Sequence, residues 1–94
     1  MKVILDDKYE RSKKKIAKRI GLDKIIETEN RFKKDLLDKN LQYKSINCQK
    51  DKTKKSIRVI GNSGYRILIT IIDDIYYFQD IMNHDKYDRI TKNC

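Results

Sequence analysis

The apolar residues of this chain change their spacing at about residue 40, and no other feature restricts the fold as strongly. From Asp7 to Ile20, Tyr9, Ile16, Ala17 and Ile20 fall on one side of a 3.6-residue period, and Lys13, Lys14, Lys15, Lys18 and Arg19 cover the remainder. From Asp23 to about Asp38, Ile25, Ile26, Phe32, Leu36 and Leu37 form a second stripe. Such stripes bury one side of a helix, whereas a period of two buries one face of a strand. Gly21 suits the left-handed position that ends a helix, so the two helices form an antiparallel hairpin. Before them, Val3, Ile4 and Leu5 make a short strand, closed by the N-cap types Asp6 and Asp7.

Beyond Asn40 the spacing becomes two. A weakly marked strand runs from Leu41 to Ile46, and a better one from Ser56 to Ile60. Gly61-Asn62-Ser63-Gly64 reads as a turn, followed by Tyr65 to Ile72, the most apolar strand and therefore the central one. Asp73-Asp74 connects it tightly to Ile75–Met82. His84 to Lys92 reads either as one helical turn or as an extended tail. Segregation of helices from strands predicts an α+β fold. The N-terminal strand and helical hairpin should pack on one face of an antiparallel sheet of about four strands, in a single domain spanning residues 1–94.

Composition narrows the classes. The chain has 94 residues, 39% of them charged, and a formal charge of +9. Its longest run without a charged side chain, Val59 to Tyr65, is seven residues, far short of the roughly 18 of a membrane span and lacking a signal-peptide core. A cytoplasmic location is the expectation. Apolar residues are 38%, below the usual ~45–50% of a globular domain, but their clustering at Ile67, Leu68, Ile69, Ile71 and Ile72 argues for a folded core. Cys48 and Cys94 are too few and too far apart for a disulfide scaffold or a zinc site, and read as reduced thiols.

The positive charge is concentrated. Residues 41–66 carry seven basic and one acidic side chain, a net +6, while residues 67–94 carry three and five. Lys50, Lys52, Lys54, Lys55 and Arg58 form a basic stretch suited to a polyanion, because each cation that meets a phosphate releases condensed counterions. An acidic protein partner would suit the same surface, and a solvated loop is the plainer reading.

Motif chemistry is mostly excluded. There is no Gly-x-Gly-x-x-Gly and no phosphate-binding loop ending in Gly-Lys-Ser/Thr. One His and two distant Cys supply no usual metal set, leaving only carboxylates such as Asp80, Asp85 or Asp88; no metal and no cofactor is expected. What remains is a cluster near the C-terminus: Arg66, Asp80, His84, Asp85, Lys86, Tyr87 and Arg89. Arg66 interrupts an apolar strand on the face shared by Leu68 and Thr70, opposite Ile67 and Ile69. There it either holds a phosphate through its planar fork or pairs with a carboxylate such as Asp80. His84, the sole histidine, suits proton transfer near neutral pH, and Tyr87 serves either chemistry or the core edge.

Ser56-Ile57-Arg58-Val59, Asn62-Ser63-Gly64-Tyr65-Arg66-Ile67-Leu68, Asp73-Asp74-Ile75-Tyr76 and Asn83-His84-Asp85-Lys86-Tyr87-Asp88-Arg89, in that order and spacing, resemble the RelE/ParE superfamily of toxins from bacterial type II toxin–antitoxin modules. The resemblance implies a helical hairpin on a curved antiparallel sheet. Its RelE branch implies a ribosome-dependent mRNA interferase, an endoribonuclease that uses no metal: the ribose 2′-hydroxyl attacks the adjacent phosphate and the 5′-oxygen leaves. On this resemblance Arg66 stabilises the phosphate, His84 is an acid or base, and Tyr87 is a base or stacks on a nucleobase. Lys50, Lys52, Lys54, Lys55, Arg58, Lys86 and Arg89 would bind RNA. Asp85 departs from the family pattern by placing an acid where a cation is usual, and an acid there would repel the phosphate unless it orients His84. The expected partners are a cognate antitoxin, mRNA and the ribosome, with no membrane. The ParE branch implies the alternative, a non-enzymatic poison of DNA gyrase.

Overall fold

The structure is a computed structural model that describes residues 1–46 and 53–92. Lys50, Lys52, Cys48 and Cys94 lie outside the described residues. The order is β1 (Lys2–Leu5), α1 (Asp7–Ile20), α2 (Leu22–Lys34), β2 (Lys44–Ser45), β3 (Lys54–Val59), β4 (Asn62–Ile72), β5 (Ile75–Asn83) and α3 (His84–Lys92).

The strands form one sheet in the order β1-β5-β4-β3-β2. The α+β architecture matches the expectation, with five strands rather than about four. β1 does not simply accompany the hairpin. It joins the sheet as an edge strand parallel to β5, with Val3 opposite Tyr76 and Leu5 opposite Phe78. A parallel return needs a long crossover, which the two helices and the intervening strands provide.

Gly21 alone connects α1 to α2, at φ +94°, and its N–H donates to Ala17 O at 2.9 Å. Any Cβ there would meet Asp23 Oδ1 at 2.8 Å. The second helix ends at Lys34 rather than Asp38, because Asp35 is extended and Asp35 Oδ1 accepts the Leu37 N–H, a local bond that competes with helix. Leu36 and Leu37 are thus loop residues, and Leu37 is 76% exposed. The strand expected from Leu41 shrinks to Lys44–Ser45.

The β3–β4 turn is tighter than Gly61–Gly64. Val59 already pairs with Asn62, so Gly61 at φ +78° serves the turn and Asn62–Gly64 belong to β4. Asp73 and Asp74 both lie in the left-handed region, at φ +50° and +64°, as a two-residue hairpin turn matched to strand twist requires.

Alternation along β4 divides two cores. Ile67 and Ile69 face the hairpin and are sealed with Tyr9, Ile25, Phe32, Ile57 and Phe78. Rings meet edge to face there, Phe78 lying 5.2 Å from Phe32 and 5.5 Å from Tyr9. Leu68 faces the other way into a smaller cluster with Ile46, Met82 and Tyr87 of α3. The hairpin is also tied to the β3–β4 turn by Thr28, whose hydroxyl accepts the Ile60 N–H at 2.9 Å. Among the described residues no helix is long and apolar enough to cross a membrane.

Candidate functional site

α3 is a full helix, and it changes the setting of Arg66. Tyr65 pairs with Asn83 at the end of β5, and the chain turns there into α3, with Asn83 Oδ1 accepting the Lys86 N–H at 2.9 Å. The apolar side of Tyr87 then settles on Leu68 and Met82, and α3 lies over the face of the sheet opposite the hairpin. Arg66 is therefore not on an open face: only 5% of it is exposed.

Its guanidinium is held from several sides. Nη1 donates to the carbonyls of Ser63 and Tyr65, Nη2 lies 3.4 Å from His84 Nδ1, and the carbon of the fork is 5.7 Å from the centre of the Tyr87 ring. Directly across the ladder stands Arg58. Burial first, and the neighbouring Arg58 charge second, hold Arg66 below the ordinary guanidinium range, while Tyr87 and Asp88 act in the opposite direction. Two arginines at facing positions of the ladder, one of them desolvated, favour an anion near them.

Arg66, His84 and Tyr87 thus come together. Tyr87 is 7% exposed and its hydroxyl donates to Ser56 Oγ at 3.0 Å, so its phenol reaches a substrate only after giving up that bond. His84 Nε2 is 3.1 Å from Asp88 Oδ2, in a half-exposed pair. Asp88, not Asp85, faces the imidazole. The spacing of four on a helix was visible in the sequence, but only once His84–Lys92 was known to be helical.

The alternative partner for Arg66, Asp80, is engaged elsewhere. It accepts from Ser12 Oγ at 2.6 Å and lies 3.5 Å from Lys8 Nζ and 4.0 Å from Lys86 Nζ. The cations expected to grip RNA do not form one group. Lys54 pairs with Thr70, at the far end of β3 from Arg58, about 13 Å away at strand rise, and its Nζ bonds Gln79 Oε1 at 2.6 Å and Thr70 Oγ1 at 3.2 Å. Lys55 sits on the opposite face, bonded to Ser45. Lys86 and Arg89 are exposed on α3.

Two clefts are lined in part by residues next to Arg66 in the chain, and periodicity did not single out most of their residues. One, of about 340 Å³, includes Ser63 and is lined by Arg58, Lys39, Gln42 and Asn62. The other, of about 260 Å³ between α1 and the end of β5, includes Tyr65 with Lys15, Arg19, Asn83 and Lys86. Ser63 and Tyr65 are the two residues whose carbonyls hold Arg66. Lys15 and Arg19 on α1 read in the sequence only as part of its polar side, and Lys39 after α2 carried no signal. Among the described residues no three His, Cys, Asp or Glu side chains gather as a metal-binding group.

No known family model and no curated protein sequence matches the chain. Its structure is similar to the crystal structure of YafQ from E. coli strain BL21(DE3), with a TM-score of 0.70 and 9% sequence identity. That likeness spans 90% of this chain and 94% of the other. With helices on a five-stranded, mostly antiparallel sheet, the chain shares the α+β fold of that structure.

Proposed function

We propose that the chain is the toxin of a type II toxin–antitoxin module and acts as a ribosome-dependent mRNA interferase. The observation that carries this reading is the meeting of the buried Arg66 guanidinium, its neighbour Arg58 and the His84 imidazole, 3.4 Å from Arg66.

In this reading Arg66 and Arg58 receive the scissile phosphate and neutralise the charge that grows on its oxygens as the fifth bond to phosphorus forms. The 2′-oxygen bonds to phosphorus, its proton passing to solvent. The bond from phosphorus to the 5′-oxygen breaks as His84 protonates that oxygen, leaving a 2′,3′-cyclic phosphate and a 5′-hydroxyl. Tyr87 supports Arg66 from beneath with its ring, and Ser56 anchors Tyr87. Lys39 and Arg58 line one neighbouring cleft, and Lys15, Arg19 and Lys86 line the other, as further cations for the RNA backbone. The surplus of positive charge also suits an acidic antitoxin.

Induction of the chain alone in bacteria should arrest growth, and primer extension should find cuts within translated reading frames. Intact messages together with gyrase-linked DNA breaks would replace this reading with the ParE-like one. An acidic neighbouring-gene product should co-purify with the chain and restore growth.

A further inference from the structure

His84 is approached on both ring nitrogens, by groups of opposite hydrogen-bonding character. Arg66 Nη2 lies 3.4 Å from Nδ1, and Asp88 Oδ2 lies 3.1 Å from Nε2. A guanidinium offers only donors and an ionised carboxylate only acceptors. A neutral imidazole satisfies both in a single arrangement, with its proton on Nε2 and its lone pair on Nδ1.

We infer that Asp88 is a positioning residue for His84, fixing the ring with Nε2 protonated and Nδ1 turned toward Arg66 and the scissile phosphate. Asp88 sits one helical turn beyond His84, so α3 must be wound for the pair to form, and the seating of Tyr87 in the small core winds it. The charged groups that meet the ring are Arg66 on β4 and Asp88 on α3, with Arg58 across the ladder from Arg66 on β3 and Asp85 and Lys86 elsewhere on α3. The two arginines oppose a proton on Nδ1 and Asp88 favours it. A phosphate oxygen that takes the Arg66 donor releases Nδ1 to take a proton from solvent; Asp88 balances the resulting imidazolium, whose Nδ1 proton then passes to the leaving 5′-oxygen. This catalytic consequence rests on the nuclease reading above, whereas the tautomer belongs to the free protein.

The chain has one histidine, so long-range proton–nitrogen NMR reports His84 without ambiguity. Wild type should show neutral imidazole protonated on Nε2, and Asp88→Asn should shift it toward a mixture of tautomers. On RNA cut by the wild type, Asp88→Asn should lower kcat about fivefold with KM little changed. Asp88→Glu should recover part of kcat, and Asp85→Asn should behave as wild type. A wild-type ring protonated on Nδ1, or a tautomer unchanged in Asp88→Asn, overturns the inference. The expected tautomer and its response to Asp88→Asn in a protein that cuts no RNA would uphold the positioning role and remove the nuclease reading instead.

Discussion

The two faces of the sheet are built on different terms. Against the hairpin, Tyr9, Ile25, Phe32, Ile57, Ile67, Ile69 and Phe78 are wholly inaccessible, and one buried polar group is completely answered: Tyr9 donates to Glu29 Oε2 at 2.6 Å while Lys13 lies 2.9 Å from the same carboxylate. Under α3 the apolar cluster is only Ile46, Leu68, Met82 and Tyr87, and beside it sit a desolvated guanidinium next to a second one. The first face answers its buried phenol with a carboxylate and a cation. The second leaves positive charge in excess, an arrangement that favours ligand over stability.

The most damaging change should fall on the first face. Phe78→Ala removes a ring that meets both Phe32 and Tyr9, and should cost about 3–5 kcal/mol, much of the ~5–15 kcal/mol that holds a typical domain. Urea denaturation measures it, and a loss below about 1 kcal/mol would erase the distinction between the faces.

On the second face the effect should appear in activity. Arg66→Lys keeps the charge but loses the fork, and should reduce RNA cleavage about 10²–10³-fold while changing stability by less than about 1 kcal/mol. Equal loss of folding and of cleavage would mean that Arg66 is part of the scaffold.

Glu29→Ala tests whether the polar group of the first face holds the hairpin. It strands the Tyr9 hydroxyl and Lys13, and should cost about 2–3 kcal/mol, with Glu29→Gln recovering part because an amide still accepts from Tyr9.

The smallest effect should come from alkali. Burial, and then the Glu29 charge and hydrogen bond, push the Tyr9 phenol well above its ordinary value. Its folded form therefore keeps a proton that the unfolded chain gives up near pH 10. Stability from this group is complete below that pH and declines as pH rises beyond it, by at most ~1.4 kcal/mol per unit. An ultraviolet titration should show Tyr9, among six tyrosines, ionising only as the protein unfolds. A phenol that titrates normally in the folded state would show that the first face admits water.

Element order, the helical hairpin and the assignment of Ile67 and Ile69 to one face and of Arg66 and Leu68 to the other were legible because each follows from spacing within one segment. Where the helix stops was less legible, since Asp35 ends α2 through a side-chain bond rather than through its place in the pattern. Lys54 and Lys55 illustrate the same limit. They are neighbours in a basic run, yet alternation and register send them to opposite faces, and both lie at the other end of β3 from Arg58. β1 joined the sheet beside β5 through ladder bonds to a strand some seventy residues away, which no local period encodes.

Local periodicity and charge by themselves determined an α+β chain with a localised cationic middle and a polar cluster near its end, because burial of one stripe or one face is written residue by residue. Only the tertiary structure decided which of those cations share a site. Strand register put Arg58 beside Arg66, and the packing of α3 closed over them, bringing the imidazole to the guanidinium and Asp88 to the imidazole. Those are contacts between distant segments, whose geometry depends on how the whole apolar surface is covered and not on any one stretch of sequence.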